Sequence, residues 1–239
     1  MNNTSSTRSK IMHTVSAQNF AKIPGNPIAY WVSDRFIKPF VFGVPLNQIA
    51  PTRKGMFTGD NDKWLKLWFE INKLNLFQEY KPYNKGGEFR RWYGNNEYVI
   101  RWGKDGCAIQ NFKGSGNINT QLYFRHCITW SLVSTYKPSF RAILDTEHVM
   151  GDAGPISLVA DIDLLYILGV LNSKYIEKVA EIIAPTINFS NGVAGSMPVL
   201  INETYRVSVE GLVKNNIEIS KIDWDAFETS WDFKKHPLI

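Results

Sequence analysis

Apolar positions recur every three to four residues along DIDLLYILGVLNSKYIEKVAEII, where Leu164, Leu165, Leu168, Leu171, Tyr175, Ile176 and Val179 fall on one helical face. Pro185 cannot extend such a helix, so the pattern predicts one continuous helix over 161–183. A second helical spacing follows TGDND. Trp64, Leu65, Trp68 and Ile71 recur behind Asp60, Asn61 or Asp62 as N-cap, and a helix of about three turns is expected. From residue 80 to 160 the pattern turns extended. EYVIRW and CAIQNF flank GKDG, whose Asp105-Gly106 pair signals a hairpin, and Tyr98, Ile100 and Trp102 alternate with Val99 and Arg101 as on a half-buried strand. QLYFRHCITWSLVS (121–134) and SFRAIL (139–144) add further strands, with KGSGNIN (113–119) as a loop before them. TINFSNGVAGSMPVLI reads as a loop and an extended edge. The tail KIDWDAFETSWDF lacks a capping box and supports at most a short helix. Residues 1–19, polar and without period, are expected to be flexible. The implied class is α+β. A mainly β domain spans 20–160, and a long packing helix with a short C-terminal α or extended segment spans 161–239.

Bulk properties narrow the setting. No apolar run approaches the roughly 18–20 residues of a membrane span, so no membrane partner is expected. Two cysteines without a CxxC pattern suit a reducing cytosol, with both thiols free. Charge is unevenly placed. Residues 81–141 carry 10 Lys/Arg against 3 Asp/Glu, whereas residues 142–239 carry 7 against 14. A basic middle suits a polyanion, although a solvated charged surface gives the same count.

Catalytic signatures are missing. His126 and Cys127, adjacent on an expected strand, point to opposite faces, which disfavours a metal site. DNDK fails as a calcium loop because Leu65 stands where Gly is needed and Ile71 where Glu is needed. No GxxxxGK[ST], GxSxG or HExxH occurs. Binding chemistry is better represented. In APTRKGMFTGDND, Arg53, Lys54 and Thr58 stand beside Gly55 and Gly59, a set suited to phosphodiester contacts or to a plain connection. KGGEFRRWYGNNEYVIRW (85–102) holds four cations and five rings. Its rings are expected to be largely core, with Arg90, Arg91 and Asn95 outside.

Seven segments in order carry a resemblance: IPGNPIAYWVS, APTRKGMFTGDNDKWLKLWFE, KGGEFRRWYGNNEYVIRW, ITWSLVS, LGVLNSK, PTINFSNGVAGSMPVLI and DWDAFETSWDF. Together they resemble the C-terminal part of the PglX-type adenine-specific DNA methyltransferases of BREX phage-defence systems. TGDNDKWL, and LNSK followed by INFSNGVAGSMPVLI, also look like the wider pattern of target-recognition domains. The resemblance implies a domain that reads a short asymmetric site in double-stranded DNA for adenine N6 methylation, without catalysing it. The family's glycine motif for S-adenosylmethionine and its Asn/Asp-Pro-Pro-Tyr/Phe motif are absent, since Pro-Pro does not occur. No cofactor is therefore expected in this chain, and the cofactor and the catalytic domain belong to the rest of the enzyme. A recombinant fragment is the expectation, rather than a natural split product. On this reading Arg53, Lys54, Thr58, Lys85 and Lys113 contact the DNA backbone, while Arg90, Arg91, Asn95 and Asn96 read base edges. The alternative is a protein-interaction module that docks another defence subunit or a phage inhibitor through the Trp/Tyr-rich surface.

Overall fold

The computed structural model describes residues 21–134 and 137–239; the expectation of a flexible segment over 1–19 lies outside them. Three layers account for the packing. A central antiparallel sheet runs in the order β2 (Thr52–Arg53), β9 (Ile156–Ser157), β6 (Cys127–Trp130), β7 (Phe140–Ile143). Strand alternation sends Ile128, Trp130, Phe140 and Ala142 to one face and Cys127 and Ile143 to the other. Helices cover the first face. They are α5 (Asp161–Leu171), α6 (Lys174–Ile183) and α8 (Glu203–Asp225), whose Leu168, Ile176 and Val213 join its core. The second face meets another sheet, ordered β3 (Leu65–Leu67), β5 (Tyr98–Arg101), β4 (Tyr80–Asn84), β8 (Val149–Met150). All its pairings are antiparallel except β4 with β8. Because both of its faces are covered, every residue of β6 and β7 is buried. The class is α+β, as expected.

Several elements differ from the sequence reading. The expected helix after Asp60 is one turn, α3 (Asn61–Trp64), capped by Asp60, one of the three candidates, which accepts the Lys63 N–H. The chain then pairs with β5, because that pairing buries Leu65 against Ile100. Sheet partners outweigh the helical spacing. CAIQNF is not a strand. Its first residues form α4 (Cys107–Gln110) after a left-handed turn at Lys104, Asp105 and Gly106, so β5 lies between β3 and β4 instead. In β5, Val99, expected on the outer face, is as inaccessible as Ile100, while Arg101 is exposed as expected. The helix expected over 161–183 is two. Asn172 turns its side chain onto β7, accepting the Phe140 N–H and donating to the Phe140 carbonyl, and Ser173 caps α6 through the Ile176 N–H. Within the expected loop, a short helix α7 (Asn191–Gly195) precedes the strand β10 (Pro198–Val199).

The C-terminal segment, expected to be short, holds the 23-residue α8. Asn202 caps it by accepting the Thr204 N–H, and Val209, Val213 and Ile217 lie against the helical core. Gly169 of α5 permits this approach: a Cβ there would stand 2.8 Å from Val209 Cγ1 and 2.9 Å from Val213 Cγ2. Among the described residues no helix is long and apolar enough to cross a membrane.

Candidate nucleic-acid interface

The end of β2 carries Arg53 and Lys54, both exposed. Gly55 follows because nothing larger fits: a Cβ there would lie 1.9 Å from the Met150 carbonyl oxygen. The neighbouring loop over 113–117 is fastened to this segment. Phe57 and Gly116 exchange backbone hydrogen bonds of 3.1 and 3.0 Å, and Asn117 Nδ2 donates to the carbonyl of Gly55 at 2.7 Å. Gly59, at φ +72°, lies so close to Gly114 that a Cβ would meet its carbonyl oxygen at 2.1 Å. Lys54 and Lys113 therefore project from two loops locked to each other. Both are exposed, and among the described residues neither enters an ion pair. Thr58 turns inward. Its hydroxyl donates to Asn61 Oδ1 at 2.6 Å and only 3% of the residue is exposed, so it stabilises the start of α3 rather than facing a ligand.

Beside β2 lies a groove of about 390 Å³ lined by Asn47, Gln48, Thr52, Arg53, Asn191 and Ser196. Its walls come from the segment 45–53 and from α7. No carboxylate lines it. Arg53 spends one guanidinium N–H on the Thr52 carbonyl at 2.8 Å, which leaves its other donors free.

The loop over 85–97 is a different environment. Gly86, Gly87, Trp92, Gly94 and Asn95 all have positive φ, and the loop needs internal props. The chief prop is Arg141 on β7, which is 1% exposed and donates to the carbonyls of Gly86 and Arg90 and to Ser131 Oγ. Burial pushes its guanidinium down to about 10, with Glu97 acting the other way, so it stays charged at neutral pH. Asn95 is another prop. It is 7% exposed and donates to the Glu88 carbonyl at 2.8 Å. The expectation that Asn95 lies outside is thus corrected: its amide closes the loop.

The two arginines of this loop face carboxylates from the acidic last third of the chain. Arg90 pairs with Asp223 at 2.9 Å and lies over the Trp224 ring, 4.8 Å from its centroid. Arg91 pairs with Glu177 at 2.8 Å, and Lys137 pairs with the same carboxylate, whose side chain is 7% exposed. Hydrogen bonds from Lys137 and then Arg91 hold Glu177 down to about 2. Both arginines, expected outside, are half-buried and already engaged within the protein. Asn96 is half-buried as well and bonds the Tyr93 hydroxyl. Lys85 sits 4.0 Å from the Tyr98 ring centroid. Lys85, Arg90 and Asn95 do line one cleft of about 920 Å³, but Glu88, Glu97 and Glu228 line it too. Glu97 has one buried oxygen without a partner, and burial raises its pKa against the pull of a backbone hydrogen bond and of Arg141. A cleft so mixed in sign is no phosphate cradle.

The sequence-selected residues thus fall into two groups that share no cavity. Arg53, Lys54 and Lys113 are presented outward, while Arg90, Arg91, Asn95 and Thr58 are spent on the fold. Sequence reasoning missed Arg141, Gln48 and Asn191. Arg141 lies in an ordinary strand pattern, Gln48 in a short segment without a motif, and Asn191 in a stretch read as a loop.

The chain is 38% identical over 234 residues to the adenine-specific methyltransferase BrxX of Escherichia coli O9:H4 (strain HS). It is 34% identical over 241 residues to the adenine-specific methyltransferase PglX of Lacticaseibacillus casei (strain Zhang). Both of these similar proteins are adenine-specific methyltransferases. Each match takes in 92% of the chain, yet the chain spans only about a fifth of these relatives' length, 18% of one and 20% of the other. No family model matches it.

That relationship raises the question of S-adenosylmethionine. The residues present do not fit it. Nucleotide-like cofactors of this kind sit at the carboxyl ends of parallel strands, where a glycine-rich turn leads into a helix. Among the described residues the one parallel strand pairing joins β4 to the two-residue β8, and neither leads through such a turn into a helix. Among the described residues no group of three or more His, Cys, Asp or Glu could hold a metal ion.

Proposed function

We propose that this chain is the DNA target-recognition region of an adenine-specific DNA methyltransferase of the BREX phage-defence type, working in the cytoplasm. It reads a short site in the duplex, and methyl transfer from S-adenosylmethionine is left to a catalytic portion outside the chain. The observation that carries the reading is the outward pair Lys54 and Lys113, on loops locked to each other beside the carboxylate-free groove of Arg53. Fixed cations of this kind neutralise phosphates, and neighbouring neutral donors are free to meet bases. The similarity to two adenine-specific methyltransferases supports the same reading.

Segment exchange tests it. This chain's sequence is put in place of the matching segment of the Escherichia coli relative, and methylated adenines are mapped genome-wide. The reading expects the methylated sequence to change with the segment while methylation itself persists. An active hybrid that still marks the original sequence would refute it.

A further inference from the structure

Three polar side chains in the groove beside β2 remain uncommitted. Asn47 Oδ1 accepts both the Thr52 N–H and its hydroxyl, Thr52 Oγ1 donates to the Asn191 carbonyl at 2.9 Å, and Ser196 Oγ donates to the Val193 carbonyl. These bonds tie the segment 45–53 to α7 and fix the groove's shape. Gly195 adds to the tightness, since a Cβ there would lie 2.9 Å from both Asn47 Cβ and Thr52 Oγ1. Among the described residues the side-chain amides of Gln48 and Asn191 take no hydrogen bond, and Arg53 keeps most of its donors.

We infer that Gln48, Arg53 and Asn191 are specificity-determining residues that read base edges in the major groove of DNA. This assignment rests on the DNA-recognition reading and moves sequence readout away from the loop over 85–97. The chemistry favours it on three counts. A carboxamide offers one donor and one acceptor side by side, the complement of adenine N6 and N7, while a guanidinium matches guanine O6 and N7. Neutral amides add little to phosphate neutralisation, so their place in the groove of Arg53 serves selection rather than affinity. The absence of carboxylates lets a phosphate approach without repulsion, unlike the cleft that holds Glu88, Glu97 and Glu228.

The test is enrichment of bound sequences from a library of randomised duplexes by the full chain, with pooled affinity measured alongside. The wild-type chain should select a motif. Gln48→Ala and Asn191→Ala should each relax preference at one position by about tenfold, with affinity for the unselected pool within about twofold of wild type. Gln48→Glu should move that position from adenine towards cytosine, whose N4 amine suits a carboxylate. Circular dichroism checks that each variant is folded; exposed Gln48 and half-buried Asn191 hold no structural bond through their side chains. If the wild-type chain selects a motif and all three variants select the same one, the assignment is wrong while DNA recognition stands. If the wild-type chain binds duplexes without selecting, the assignment also falls. If it binds no duplex even at low salt, both readings fall together.

Discussion

Glu177 shows how single residues redirect what the sequence suggests. In the chain it is one acid among many in the last third; in the fold its buried carboxylate holds Arg91 and Lys137. Its pKa lies at about 2 against an ordinary 4.5, so the folded state favours the charged form. The stability this contributes is present above pH 4.5 and lost as pH falls from there towards about 2. Melting curves across that range should show a steeper acid loss for wild type than for Glu177→Gln, with the two converging near the lower end. Parallel profiles would contradict the pairing. Arg141 makes a second residue-scale case. Its three acceptors, two of them loop carbonyls, lose their donor in Arg141→Ala, and chemical denaturation should register a loss of about 3 kcal/mol or more. Neither role was legible in the sequence, because each depends on a partner more than 35 residues away.

At the scale of elements, what the sequence revealed tracks how local the determinants are. An N-cap within Asp60–Asp62, the strand in SFRAIL and the loop in KGSGNIN were legible, since each rests on neighbours in the chain. The break between α5 and α6 was not. The apolar period continues straight through it, and only β7 reveals what Asn172 bonds. Removing that carboxamide in Asn172→Ala leaves the buried N–H and carbonyl of Phe140 without it, and should cost about 2 kcal/mol in denaturant unfolding. No change would mean the two helices are divided for another reason. Helix α8 escaped notice for the opposite cause. Its buried residues Val213, Ile217 and Trp224 are sparse, and exposed Val207, Leu212, Ile219 and Ile222 blur their period.

The whole molecule reinterprets the charge asymmetry. A basic middle and an acidic end imply a polyanion partner when counted along the chain, yet Arg90, Arg91 and Lys137 meet Asp223 and Glu177 within the fold. Much of the asymmetry is a docking code between the sheet layers and the covering helices. What stays outward is smaller: Arg53 in one groove, and Lys54 and Lys113 on two loops locked to each other. The sequence named these three through Gly-flanked cations, a local signal. It gave no sign that the central pair is ion-paired, because the carboxylates that neutralise them are distant in the chain.

The central claim is that DNA is gripped at the loops of Lys54 and Lys113 and not at the loop of Arg90. Fluorescence anisotropy of the chain with a duplex of about 20 base pairs, titrated across salt, tests this most directly. Affinity should fall linearly on a log–log plot. The slope should flatten by about 0.9 for each of Lys54→Ala and Lys113→Ala and stay at the wild-type value in Arg90→Ala. A slope that Arg90→Ala alone flattens, or binding indifferent to salt, would contradict it.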